Sequence, residues 1–206
     1  MKSSAKGIGL AIVGGGRVGL FRGEVAARHP AVEWIGLAEK NPNRAGDVAS
    51  RIDADFVTGD HRELLKRPEV TAAIICTDEH LHVEPIIAGV EAGVPMLIEK
   101  PLATDLAQSA RVLKAIQDAG LDAAVGYTQR FRRRWLAAKE KCRTGALGEL
   151  RGPMADETVS WLSRVSLGLP TPAATVAEAH RNLMLTKALD LSAKRKQPVQ
   201  LPLDPS

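Results

Sequence analysis

The chain has 206 residues, room for one domain, or for one domain and part of a second. Apolar residues make up 45% and charged residues 25%, which excludes a disordered chain. The net charge of +4 is local: residues 130–151 hold eight Lys/Arg against two Glu, so the remainder is slightly acidic and a generally basic protein is excluded. From the N-terminus, Ile8 to Val13 reads as a short buried strand and runs straight into Gly14-Gly15-Gly16-Arg17-Val18-Gly19. A helix should follow to about His29, where Pro30 stops it. Val32 to Ala38 is a second strand, and Asn41-Pro42 places an N-cap before proline at the first helical position. Phe56-Val57 is a brief third strand, and Asp60 with Glu63 forms a capping-box pattern for a short helix. Ala72 to Cys76 is a near-continuous apolar run of the kind buried in parallel sheets. Val83 to Ala92 is helical with Gly93 at its end, and Pro95 to Ile98 is the fifth strand. Thr104 is expected to cap a helix with Leu106, Ala110, Leu113 and Ile116 on one face, closed by Gly120. Ala123 to Gly126 completes six strands.

Strands alternating with helices predict an α/β fold, a doubly wound parallel sheet of Rossmann type whose ligands bind at the C-terminal strand edge. After Tyr127 the pattern changes. Arg130 to Arg143 looks helical, a few helical positions surround Trp161, and Thr175 with Glu178 opens a long helix; Val199 and Leu201 are expected in a terminal strand. These pieces offer no second core of their own, so the long helix, with Leu183, Met184, Leu185 and Leu189, must dock on something. With three Phe, three Trp and one Tyr, the core is built from Ala, Val, Ile and Leu.

No apolar run approaches the roughly 20 residues of a membrane span, and the start at Met1-Lys2-Ser3-Ser4 carries no signal-peptide pattern. Cys76 and Cys142 lack a paired zinc spacing, so a disulfide framework is excluded and a reducing, cytoplasmic setting is expected. His80 and His82 alternate on a loop without a carboxylate–histidine cluster to complete a metal site; no metal is expected. The run Arg132-Arg133-Arg134 between Phe131 and Trp135 reads as a solvated helix face in preference to a nucleic-acid surface.

The glycine signature carries the first chemical signal, because it follows a strand and opens a helix. Gly14 permits the tight turn, Gly16 lets the backbone approach a pyrophosphate, and Gly19 lets the helix pack on the strand. Glu39 comes 20 residues after Gly19, at the end of the second strand, where a carboxylate accepts hydrogen bonds from the ribose of NAD. Lys40 and Arg44 nearby suit a 2′-phosphate, so NADP stays open beside NAD. Glu99-Lys100-Pro101 follows the fifth strand, placing Lys100 where nicotinamide and substrate would meet, as proton donor or acceptor. Glu99 is read as a residue of the cofactor end that orients the lysine; the alternative for both is an ordinary charged loop.

Four segments, Gly14 to Gly19, Thr77-Asp78-Glu79-His80-Leu81-His82, Glu99-Lys100-Pro101-Leu102-Ala103 and Gly126-Tyr127-Thr128-Gln129-Arg130-Phe131, occur in an order and spacing that resembles the Gfo/Idh/MocA family. This is the glucose–fructose oxidoreductase and inositol dehydrogenase group. The likeness covers about residues 7 to 150, with a further trace from Ala179-His180-Arg181 to Pro198-Val199. It implies a nicotinamide-dependent oxidoreductase acting on sugars, polyols or related hydroxy compounds; the alternative is a nucleotide-binding protein without turnover. It also implies that Gly14, Gly16, Arg17 and Val18 hold the pyrophosphate and Glu39 and Lys40 the adenosine ribose. Thr77 and His80 would flank the cofactor, Lys100 would be the active-site lysine, and Arg130 would lie near the nicotinamide end. The family's second domain is a large sheet that supplies a closely spaced Asp and His. Past residue 150 this chain has Asp156, His180, Asp190 and Asp204, with no such pair. The expected division is a nucleotide-binding domain at 1–128 and a short remnant of an α+β substrate domain at 129–206, with self-association into a homo-oligomer.

Overall fold

The computed structural model describes residues 7–130, 136, 153–169, 175–197 and 199–203. The apolar runs form six strands, β1 (Ile8–Val13), β2 (Val32–Ala38), β3 (Phe56–Thr58), β4 (Ala72–Ile75), β5 (Met96–Ile98) and β6 (Ala123–Val125). All pairings are parallel, in the order β3-β2-β1-β4-β5-β6. The chain therefore winds outward from β1 to β3, returns beside β1, and winds the other way. That reversal opens a crevice between the C-terminal ends of β1 and β4, the usual ligand position in such sheets.

Side chains alternate across the pleat, so each strand feeds two cores. Ile8, Leu10 and Ile12 of β1 enter one, while Ala11 and Val13 enter the other. Helices α1 (Arg17–Ala26), α2 (Pro42–Ile52) and α6 (Pro153–Leu167) cover the first face. Helices α3 (His61–Leu65), α4 (Val83–Glu91), α5 (Leu106–Asp118) and α7 (Val176–Arg195) cover the second.

Local sequence sets most helix starts. The Asn41 side chain accepts from the N–H groups of Asn43 and Arg44 at 3.1 and 3.2 Å, with Pro42 opening α2. Thr175 and Glu178 form a complete capping box on α7. Two expectations shift. Asp105, not Thr104, caps α5, its carboxylate accepting from Gln108 N–H at 2.8 Å; a charged acceptor is the better partner for the helix dipole. Asp60 caps α3, but Glu63 turns away to accept from the Thr58 hydroxyl, so the box is half formed.

The C-terminal part docks on the sheet. Trp161 and Leu162 of α6 are buried in the first core, and Val176 and Ala179 of α7 in the second. Thr175 bridges antiparallel to Ala124 of β6, and His180 Nδ1 lies 2.9 Å from Ser109 Oγ on α5. Residues 199–203 are irregular, so the expected terminal strand is absent there. Pro198 and Pro202 bracket Val199 to Leu201 and withhold two N–H donors a ladder needs. The helix expected from Arg130 to Arg143 lies outside the described residues, apart from residues 130 and 136. Among the described residues no helix is long and apolar enough to cross a membrane.

Candidate functional site: a cleft at the sheet switch point

The C-terminal ends of β1, β2 and β4 open onto a cleft of about 480 Å³. Gly14 and Gly16, Glu39 and Lys40, and Cys76 and Thr77 border it from the three strand ends. The glycine loop owes its shape to close packing. Gly14 has φ +97°, and a Cβ there would sit 2.7 Å from the Cys76 carbonyl. A Cβ at Gly19 would lie 1.9 Å from the Gly14 oxygen, so only glycine lets α1 come this close to β1. Gly16 differs: nothing lies within 4 Å of a Cβ placed there. It is the N-cap of α1, with no side-chain capping bond and no acidic residue in the first turn. The first N–H groups of the helix and its positive dipole end are thus left for an anion.

Glu39 closes the far wall. One carboxylate oxygen accepts from Gly15 N–H at 2.8 Å; the other accepts from Asn41 N–H at 2.8 Å and from Arg44 Nη2 at 3.0 Å. Burial opposes its charge, yet the Arg44 bond and the two N–H donors outweigh burial and hold the carboxyl below its ordinary pKa. Arg44, raised by the same contact, is neutralised by Glu39, whereas Lys40 is exposed and makes no ion pair among the described residues.

The β3–α3 connection supplies a wall that the sequence reading missed, with Gly59, His61 and Arg62 on the cleft. Burial keeps the His61 imidazole below its usual pKa, and its Nε2 has no hydrogen-bond partner among the described residues. Thr77 Oγ1 on the same cleft is likewise buried without a partner. Buried polar atoms are almost always satisfied, so two orphans on one cleft fit a polar ligand. No motif marks His61, because β3 is three residues long and its loop is unremarkable in sequence.

The remaining residues separate into three groups. Gly14, Gly16, Glu39, Lys40, Arg44, Thr77 and His80 meet on the cleft. Arg17 and Val18 begin α1 beside it, Arg17 exposed and Val18 packed toward the first core. Lys100 is exposed and lines a second groove with Glu79 and part of α7. Glu99 and Arg130 stand in ion pairs. Glu99 is buried and does not line the cleft: its carboxylate accepts from Arg22 Nε at 2.8 Å and from Nη2, and Arg22 is itself fully buried. Arg22 Nη1 in turn reaches Thr158 Oγ1 of α6 at 2.8 Å. Arg130 is held by Glu178 at 2.7 Å and lies 5.6 Å from the Tyr127 ring centre, fastening the start of α7.

His82 is buried with Nδ1 2.7 Å from the Pro101 carbonyl and Nε2 3.0 Å from the Thr77 carbonyl, which ties together the loops after β4 and β5. Among the described residues no three His, Cys, Asp or Glu side chains converge on a metal position.

Comparison with known proteins agrees with this geometry. The Gfo/Idh/MocA model, described as an oxidoreductase family with an NAD-binding Rossmann fold, matches residues 8–127. A 4-carboxy-2-hydroxymuconate-6-semialdehyde dehydrogenase of Sphingobium is 33% identical over 59% of this chain and 39% of its own. Levoglucosan dehydrogenase of Pseudarthrobacter phenanthrenivorans is 29% identical over 69% of this chain and 39% of its own. The structure of a levoglucosan dehydrogenase in complex with NADH superposes with a TM-score of 0.62 at 29% identity, over 70% of this chain and 41% of that one. The chain thus spans about two-fifths of the length of these relatives.

Proposed function

The chain belongs to the oxidoreductase family with an NAD-binding Rossmann fold, and from that premise we propose that it binds NAD in the β1–β4 cleft and oxidises or reduces a sugar, polyol or related hydroxy compound. The observation that carries this reading is the uncapped α1 N-terminus at Gly16, facing a cleft closed by Glu39. Backbone N–H groups of the glycine loop and α1 would hold the pyrophosphate, Arg17 adding a nearby positive charge. Glu39 would accept the ribose hydroxyls, and because it already neutralises Arg44, a 2′-phosphate would meet a carboxylate before a free arginine. NAD is therefore preferred over NADP, with Lys40 the residue that keeps NADP within reach. Thr77 Oγ1, without a partner, suits a carboxamide or ribose group, and His80 flanks it.

When bound, the nicotinamide ring supplies or accepts the hydride. The protein's part is to orient the carbinol and manage its proton: the Lys100 amine takes the hydroxyl proton during oxidation and returns one during reduction. The loop carrying Lys100 is positioned by the His82 bond to Pro101 and by the Lys100 N–H bond to Glu99 at 3.2 Å.

Calorimetric titration with NADH and, separately, NADPH tests the reading. Saturable binding with NADH the tighter is expected; a folded protein that binds neither overturns it. A second reading, nucleotide binding without turnover, draws on the engagement of Glu99 and Arg130 in structural ion pairs. Turnover of a polyol panel that is lost in Lys100→Ala decides for the oxidoreductase; binding without turnover decides for the alternative.

A further inference from the structure

The wall that follows β3 belongs to no motif, yet it brings to the cleft an imidazole that no hydrogen bond holds. His61 opens α3, and 18% of its side chain is exposed, enough to border the cleft. Nε2 is buried without a partner, and Nδ1 lies 4.0 Å from Asp60 Oδ1, too far for a hydrogen bond. Among the described residues no hydrogen bond therefore resists a turn of the ring about Cβ–Cγ, a broad torsion, that brings Nε2 to a ligand. Burial keeps the imidazole below its ordinary pKa; the Asp60 and Glu84 charges pull the other way, and Arg62 and Lys40 reinforce burial. The ring is thus neutral at neutral pH, with one N–H and one lone pair. The carboxylate beside Nδ1 draws the proton to that nitrogen, which leaves the lone pair on Nε2.

We infer that His61 reads the nucleobase: Nε2 accepts a hydrogen bond from the exocyclic amino group of adenine and selects it over a purine with a carbonyl oxygen at that position. The inference rests on the NAD reading above. Strand order places the base. The uncapped α1 end lies at β1, Glu39 at the end of β2, and Gly59, His61 and Arg62 after β3, and the three strands are neighbours in that sequence. Pyrophosphate, ribose and base follow one another in a nucleotide in the same order. With the pyrophosphate at α1 and the ribose at Glu39, the next group along meets the β3 wall. Across from it, Leu81, Val83 and Pro85 border the cleft from the turn after β4 and from α4. Leu81 is 45% exposed, apolar surface that a flat ring covers.

The lone pair supplies a selectivity that the arginines of this wall do not. Arg62 is engaged by Glu84 at 3.1 Å and Arg44 by Glu39 at 3.0 Å. To a nitrogen lone pair adenine offers an amine, whereas hypoxanthine and guanine set a carbonyl oxygen there, acceptor against acceptor. A site built around a hydrogen bond rejects the analogue that cannot complete it far more strongly than an apolar pocket rejects an added group. The orphaned Nε2 is therefore the cleft's means of telling one purine from another.

The test is calorimetric titration of the full chain with NADH and with its hypoxanthine analogue, deamino-NADH, for the wild type, His61→Leu and His61→Gln. The wild type should bind NADH at least about tenfold more tightly than deamino-NADH, the effect of one hydrogen bond replaced by opposed acceptors. His61→Leu should bring the two affinities within about twofold, chiefly by weakening NADH. Its melting temperature should stay unchanged, because the imidazole has no hydrogen bond to lose. His61→Gln keeps an acceptor oxygen and should retain the preference for NADH. Equal affinities in the wild type overturn the inference and leave the NAD reading intact. A preference that survives in His61→Leu, or tighter binding of deamino-NADH, overturns it as well. Should His61→Leu fail to fold, nitrogen NMR of the wild-type histidine rings decides: the His61 Nε2 resonance moves with NADH and holds still with deamino-NADH, or the inference falls. A folded wild type that binds neither dinucleotide strikes the NAD reading, and this inference with it.

Discussion

Replacing Glu99 by leucine should remove much of the stability of this protein although the residue lies outside both the cleft and the second groove. Arg22 is fully buried, and Glu99 is its counter-charge, bonded through Nε at 2.8 Å and through Nη2. Taking the carboxylate away removes this counter-charge from a buried guanidinium, and breaking a buried pair this way costs about 3–5 kcal/mol. That is a large part of the roughly 5–15 kcal/mol that holds a typical domain together. The second oxygen of Glu99 also accepts from Lys100 N–H at 3.2 Å, so the lysine loop loosens as well. Adding Arg22→Met should restore most of the loss, since replacing both charges by apolar groups is often neutral. Thr158 would then lack the donor it has at 2.8 Å, leaving a deficit of about 1 kcal/mol. Urea unfolding of the wild type, both single variants and the double variant closes the cycle. A Glu99→Leu loss below about 1 kcal/mol, or a double variant as unstable as the sum of the singles, would refute the reasoning.

Two glycines separate folding from binding. Gly16→Ala meets open space and should leave stability within about 0.5 kcal/mol while weakening NADH at least about tenfold; Gly19→Ala should lose both, its Cβ falling 1.9 Å from the Gly14 oxygen. Equal behaviour of the two in calorimetry and urea unfolding would contradict the assigned roles. Glu39→Ser should shift the NADPH-to-NADH affinity ratio about tenfold toward NADPH by freeing Arg44, and an unchanged ratio would count against Glu39 as the reader of the ribose. The Glu39 carboxyl is lower in the folded protein than in the unfolded chain, so it stabilises the fold above the unfolded value and that contribution is lost as pH falls through the folded one. Melting temperature should therefore drop below about pH 4.3, and less steeply in Glu39→Gln; identical acid limbs would exclude this contribution. Trp161→Ala should cost about 3–5 kcal/mol in urea unfolding, because the ring is 1% exposed beneath α6; a loss below about 1 kcal/mol would mean that α6 is not seated on the sheet.

The sequence alone determined the sheet and the glycine-loop end of the cleft, because both are written in short-range pattern. Alternation and apolar runs located all six strands, Asn41 and Thr175 announced their helices, and the Gly14-to-Gly19 loop with Glu39 follows from backbone geometry that permits few residues. Only the tertiary structure decided the rest, where the deciding contact joins residues far apart in the chain. Glu99 reads in sequence as a neighbour that orients Lys100, and its bond to Arg22, 77 positions away, is visible only in the fold. The pairing of Arg130 with Glu178 of α7 likewise joins residues that no local pattern connects. His61 had no motif and emerged only because β3 carries it to the cleft wall. Helices α6 and α7 showed no core of their own because their apolar faces complete the two cores of the sheet. A periodic pattern reveals that a helix has an apolar face, but the partner of that face is set by packing, and packing is not a local property of the chain.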